Sequence, residues 1–317
     1  MPRPTTRLLR RAALVATGFL AAGSLALPGI ASAHPAHHPG RHHPPGVRPV
    51  VAGSDYLALG DSVSFGYREP DTTPAPVYAD QAQFVGFPEQ VAAALGLHVA
   101  NLSCPGETSA SLIDPAAPSN GCENSYVNGK QQPVGYRRSY PLHEQYRGSQ
   151  LAAGVRYLRS HPDTRLVTLM IGANDGFLCQ AETADHCTSP TELAAVAKHI
   201  AVNVGRILFT LRVTAHYRGQ IVLVQYYSTD YAVPLDNQET GLLNGAMEAG
   251  ARPFHVEVAP TFAAFGAAST YSANDPCTAG LLTQLTSGGK PTGSCGVHPS
   301  PAGQDVLAQT VEATVVK

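Results

Sequence analysis

Residues 56–62 read Tyr-Leu-Ala-Leu-Gly-Asp-Ser, four apolar side chains halted by a glycine and followed at once by two polar ones. A short apolar run that ends in a turn residue is the pattern of a strand buried on both faces. The pattern recurs at Leu97 to Leu102, at Arg165 to Ile171 before Gly172, at Ile221 to Val224 after the break at Gly219, and at Phe254 to Val258. Between these runs the apolar spacing turns helical. Phe87 to Leu95 stops at Gly96, Leu151 to Ser160 forms another helix, and a last one begins near Pro301. The clearest follows Ser189-Pro190, where Leu193, Val196, Ala197, Ile200, Val204, Ile207, Leu208 and Leu211 share one helical face. Ser189 with Glu192 predicts a capping box, and Pro190 fits the first helical position. Strands alternating with helices predict an α/β fold, a mostly parallel sheet covered on both faces, with ligands bound beyond the carboxyl ends of its strands. Residues 67–83, 107–150 and roughly 259–297 fit neither period, and loops of that length commonly build the rim of a site.

The chain has 317 residues, 44% of them hydrophobic and 14% charged, which excludes wholesale disorder, coiled coil and collagen. Its formal net charge of -2 argues against a nucleic-acid partner. At the N-terminus Arg3, Arg7, Arg10 and Arg11 precede the apolar run Ala12 to Leu27 and the small residues Ala31-Ser32-Ala33, the layout of a secretory signal over residues 1–33, with Arg10-Arg11 hinting at twin-arginine export. No other uninterrupted apolar stretch is expected to span a membrane, so the mature protein is expected to be extracellular, soluble and monomeric. Residues 34–52 are rich in His and Pro and read as an extended linker. Its His34, His37, His38, His42 and His43 could bind a metal only loosely, without packed supporting groups. The folded domain is therefore expected over residues 53–317. In an oxidising compartment the six cysteines are read as disulfides, and their spacing groups them as Cys104 with Cys122, Cys179 with Cys187, and Cys277 with Cys295.

The polar signals sit just after strands: Gly60-Asp61-Ser62 after the first, Gly106 after the second, Gly172-Ala173-Asn174-Asp175 after the third. His298-Pro299 precedes the last helix. A parallel sheet gathers its strand ends, so these distant residues can meet at one edge. In order and spread they resemble the motif blocks of the SGNH, or GDSL, hydrolase superfamily. With the signal segment and the three cysteine couples, the likeness is greatest to the secreted lipases and esterases of actinobacteria. The resemblance implies a three-layer α/β/α fold of flavodoxin-like topology and ester hydrolysis through an acyl-enzyme. It makes Ser62 the nucleophile and His298 the base, and the backbone N–H groups of Ser62 and Gly106 with the Asn174 amide the oxyanion donors. Asp61 and Asp175 are expected to be hydrogen-bonding supports, and Ser64 lies outside the motif.

One position departs from the family. Where members carry an Asp three residues before the histidine, this chain has Cys295, so the carbonyl oxygen of Cys295 is expected to accept the Nδ1–H of His298, with Asp275 or Asp305 as the rival. Phe65, Tyr67, Phe177 and Leu178 flank the motifs and are candidates to line an acyl pocket. No GxSxG elbow, HExxH, P-loop or GxGxxG is present, and neither cofactor nor metal is expected. A lipid ester is the expected substrate. The alternatives are an acetyl esterase acting on carbohydrate and a non-catalytic binding module with a His-rich, metal-binding tail.

Overall fold

The computed structural model describes residues 48–317 apart from Asn128. The expected signal segment and most of the His/Pro-rich linker, with all of its histidines, lie outside the described residues. The chain runs β1 (Asp55–Gly60), α1 (Ser62–Phe65), α2 (Phe87–Leu95), β2 (His98–Asn101), β3 (Ser125–Val127), β4 (Lys130–Gln132), α3 (Tyr136–Ser139), α4 (Gln150–Ser160) and β5 (Thr164–Met170). It continues with α5 (Ala173–Glu182), α6 (Pro190–Phe209), β6 (Gln220–Val224), α7 (Pro234–Ala251), β7 (Glu257–Ala259), α8 (Thr261–Ser269), β8 (Leu282–Ser287), β9 (Lys290–Pro299) and α9 (Pro301–Thr314).

Five strands make the central sheet in the order β2-β1-β5-β6-β7, every neighbouring pair parallel. This is the flavodoxin-like order, in which the crossovers leave β1 in opposite directions and open a crevice at its carboxyl end. α2, α8 and α9 pack together as one layer and α4, α6 and α7 form the other, the expected three-layer α/β/α arrangement. The strands are apolar because both of their faces are covered. Tyr56 through Leu59, Leu166, Val167, Leu169, Met170 and Val222 through Val224 are all buried, each large side chain contributing roughly 1.5–3 kcal/mol. The single polar group in the middle of β1 is satisfied, since the Tyr56 hydroxyl and Thr168 Oγ1 lie 2.7 Å apart.

Several expectations need correction. Residues 48–50, within the expected linker, are tied to the domain: Val50 is buried and its N–H donates to Val316 O at 2.8 Å, while Gln220 Nε2 donates to Arg48 O at 3.0 Å and to Val316 O at 2.8 Å. Ser189 makes no side-chain cap on α6. Asp185, brought onto the helix end by the loop that the Cys179–Cys187 disulfide closes, accepts the Ser189 N–H at 3.1 Å, the group assigned to Glu192. Residues 190–214 are long and apolar enough to cross a bilayer, contrary to expectation, but Ile200, Val204, Ile207, Leu208 and Leu211 belong to the core. The strand sought at Phe254 starts at Glu257, because residues 252–254 form a 3₁₀ turn. The cysteines form the three expected pairs.

Candidate active site

β1 ends at Gly60, whose backbone is gripped from both sides: its N–H donates to Gln150 Oε1 at 2.7 Å and its carbonyl accepts from Gln150 Nε2 at 3.0 Å. Asp61 then caps the short helix α1 by accepting the Val63 N–H at 2.9 Å, which leaves Ser62 in the first helical position at the mouth of the crevice. Asp61 is buried. It also accepts from the Tyr226 hydroxyl at 2.5 Å and from Asn174 Nδ2 at 3.3 Å. Burial pushes its carboxyl up to about 6 against the pull of these donors, so it anchors the turn through hydrogen bonds.

His298 arrives from the opposite end of the chain, at the end of the β8–β9 hairpin. Its Nε2 lies 2.8 Å from Ser62 Oγ. The following helix fastens the approach: Ser300 Oγ caps α9 by accepting the Gly303 N–H at 3.2 Å, and Gln304 donates to Val63 O at 3.0 Å while accepting the Phe87 N–H at 2.8 Å. α9 is thereby tied to α1, and the histidine to the serine. The Tyr67 ring meets the imidazole edge-to-face with centroids 4.8 Å apart.

The other imidazole nitrogen corrects the sequence reading. Nδ1 lies 2.8 Å from Glu69 Oε1, so the Cys295 carbonyl is not its partner. Neither rival aspartate reaches it, because Asp275 accepts the Cys277 N–H at 2.8 Å and Asp305 accepts from Gln309 Nε2 at 2.8 Å. Glu69 Oε1 also accepts the backbone N–H groups of Val297 at 2.9 Å and His298 at 3.2 Å, and the Thr283 hydroxyl donates to Oε2. Burial would raise this carboxyl, but its hydrogen bond to His298, the imidazole charge and the Thr283 hydroxyl hold it down at about 2. Glu69 was missed because residues 67–83 follow neither sheet nor helix period, and no spacing marks the residue.

Asn174 stands in the first turn of α5, just past the end of β5, and lines the same cavity as Ser62 and His298. Its Oδ1 accepts from Asn120 Nδ2 at 2.9 Å, and the Asn120 N–H donates to Gly106 O at 2.8 Å. Gly106 has φ +81°, and a Cβ there would lie 2.6 Å from Asn120 O, so the bend admits only glycine. Asn120 thus links two of the three expected oxyanion donors, and the Cys104–Cys122 disulfide closes the loop that carries it. Asp175 points away, accepting from the Ser109 hydroxyl at 2.5 Å and its N–H at 2.8 Å. Of the four residues expected to line an acyl pocket, only Phe177 does so. Phe65 and Tyr67 belong to a separate aromatic cluster and Leu178 is buried beside the pocket. Ser64 is fully buried.

A match to the GDSL-like lipase/acylhydrolase family spans residues 58–306, from within β1 to α9. The chain belongs to that family. Among solved structures, this GDSL-family chain is similar to phospholipase A1 from Streptomyces albidoflavus NA297, with 16% identity, 83% of this chain and 100% of that chain covered, and a TM-score of 0.52. It is also similar to an acetylxylan esterase from Geobacillus stearothermophilus, at 16% identity, 83% and 94% coverage, and a TM-score of 0.47. No curated protein matches. Likeness at such identity is one of fold. Ester hydrolysis is the chemistry that membership of the GDSL family supports.

Proposed function

We propose that the protein is a secreted serine esterase that hydrolyses lipid acyl esters through an acyl-enzyme on Ser62. His298 Nε2 removes the hydroxyl proton as Ser62 Oγ attacks the ester carbonyl. The negative charge that develops on the carbonyl oxygen is met by the N–H of Ser62, the N–H of Gly106 and the Asn174 amide, each donor worth about 10² to 10³ in rate. His298 returns the proton to the leaving alcohol. It then deprotonates the water that releases the acid. The observation that carries this reading is the 2.8 Å contact between His298 Nε2 and Ser62 Oγ at the edge of an apolar cavity.

The cavity, about 270 Å³, supports an acyl chain as the substrate's acid part. Phe177, Leu193, Val196, Ile200, Leu242 and Leu243 wall it on the side of α5, α6 and α7. Each methylene transferred there from water contributes about 0.8 kcal/mol, roughly a fourfold gain in kcat/KM. The signal segment and three disulfides support export, and the protein is proposed to act as a soluble monomer without cofactor, metal or nucleic acid.

The test is kcat/KM on p-nitrophenyl esters from acetate upward, with Ser62→Ala alongside. Rates are expected to climb with chain length until the cavity is full, and Ser62→Ala to fall to background. A preference for acetate would favour the carbohydrate acetyl esterase instead. An ester-inactive protein would favour a binding module.

A further inference from the structure

We propose that Glu69, supplied by the loop after the nucleophile helix, is the positioning carboxylate of His298, and that Gly296 is the residue that admits it. The proposal rests on Ser62 and His298 acting as nucleophile and base. It assigns a new origin for the group that aims the base, because the position three residues before the histidine is Cys295, committed to a disulfide with Cys277.

Glu69 is built into this place. Its Oε1 is the meeting point of three donors from one strand end, the N–H of Val297, the N–H of His298 and the ring Nδ1, while its Oε2 takes the Thr283 hydroxyl from the neighbouring strand of the hairpin. A carboxylate that accepts from this many donors is ionised and offers no proton of its own. Nδ1 therefore carries the ring hydrogen and Nε2 presents its lone pair to Ser62 Oγ, the tautomer that a general base needs. When Nε2 takes the proton, the half-buried carboxylate faces the new imidazolium with a full charge, which a backbone carbonyl does not have. The other groups around the ring cannot substitute. Asp61, from the β1–α1 turn, acts on His298 electrostatically but spends its oxygens on Val63, Tyr226 and Asn174, and Tyr67 offers the ring only an aromatic edge.

The steric counterpart is Gly296. A Cβ built at this position would overlap Glu69 Oε1 and Cδ. Any other residue there displaces the carboxylate from the imidazole while leaving every ionisable group in the chain. The run Cys295-Gly296-Val297-His298 thus couples a disulfide, a gap and the base, and the gap is filled by a residue 229 positions before that base in the chain.

Glu69→Gln and Gly296→Ala test this, read by kcat, KM and the pH profile of kcat/KM on a p-nitrophenyl ester, with melting temperature as the check on folding. Both variants are expected to lose about 10² to 10⁴ in kcat with little change in KM. In Glu69→Gln the acid limb of the profile is expected to move to lower pH, since the base loses a neighbouring negative charge. Glu69→Ala is expected to recover part of its rate in added formate, which a purely structural defect would not. Thr283→Val, which removes only the outer partner of the carboxylate, is expected to stay within about tenfold of the parent. Kcat within about threefold of the parent in both Glu69→Gln and Gly296→Ala, with an unmoved acid limb, would overturn the proposal. If Glu69→Gln does not fold, Gly296→Ala decides. An inactive parent, or an active Ser62→Ala, overturns the reading of the Ser62–His298 pair and this assignment with it.

Discussion

Ser62 and Asn174 stand on turns that leave strands buried on both faces, whereas His298 is carried by a two-stranded hairpin whose β9 residues are mostly exposed over residues 290–294. The first pair is held at the sheet's edge by buried partners from the surrounding helices and loops: Gly60 is gripped by Gln150, and Asp61 binds Val63, Tyr226 and Asn174. The sheet reaches the histidine's strand through the Tyr227 hydroxyl, just past β6, which donates to Val297 O at 2.6 Å. The histidine's place otherwise depends on the Cys277–Cys295 disulfide, the Gln304 bridge to α1 and the Glu69 carboxylate. The contrast separates a half of the site that the core defines from a half that a few discrete tethers define, and the two should fail differently.

His298→Ala should show the largest effect, a loss of about 10⁴ to 10⁶ in kcat, with a lowered melting temperature as well because the half-buried Glu69 carboxylate loses its main partner. Cys277→Ser with Cys295→Ser should lower the unfolding free energy in urea by about 2–4 kcal/mol and also depress kcat. The matching pair at Cys179 and Cys187, which borders the acyl cavity but does not hold the strand that carries the histidine, should lower stability by a similar amount and spare more of the rate. Equal kinetic loss in both pairs would erase the contrast.

Acid provides a third probe. Glu69 is held at about 2 when folded against an ordinary 4.5, so the unfolded chain binds the proton more readily. Its contribution, roughly 3 kcal/mol, is complete above about pH 4.5 and is lost as pH falls from there towards 2. Urea unfolding of the parent and Glu69→Gln across that window should show the parent's advantage vanish. The smallest effect belongs to the sheet side. Tyr226→Phe removes one of three donors to buried Asp61 and should cost about 1–3 kcal/mol of stability, with less than a tenfold fall in kcat because two donors still hold the turn.

The same division governed what the sequence disclosed. α2 matches its expected limits, Phe87 to Leu95, since an apolar face and a terminal glycine are local signals. β1 and β5 were legible because burial on both faces forces continuous apolar runs. α7 was not foreseen: Gly241, Gly245 and Gly250 interrupt its period and its buried residues include Asn244, so neither propensity nor amphipathicity marks it. The motif residues could be placed at strand ends, and Ser62 and His298 do meet. Glu69 could not, because its partner is chosen by how the hairpin folds over residues 67–83, and the vacancy that receives it is only a glycine in the sequence. The reading of Cys295 failed for the same reason: it assumed a local partner where the fold supplies a distant one.

The most direct measurement is the mass of a trapped intermediate. The protein is mixed with an excess of a p-nitrophenyl acyl ester, quenched in acid within the first turnovers, digested and examined by mass spectrometry. One acyl group on Ser62 is predicted, absent from Ser62→Ala. An adduct on another residue such as Ser64, or continued turnover by Ser62→Ala, would contradict the account.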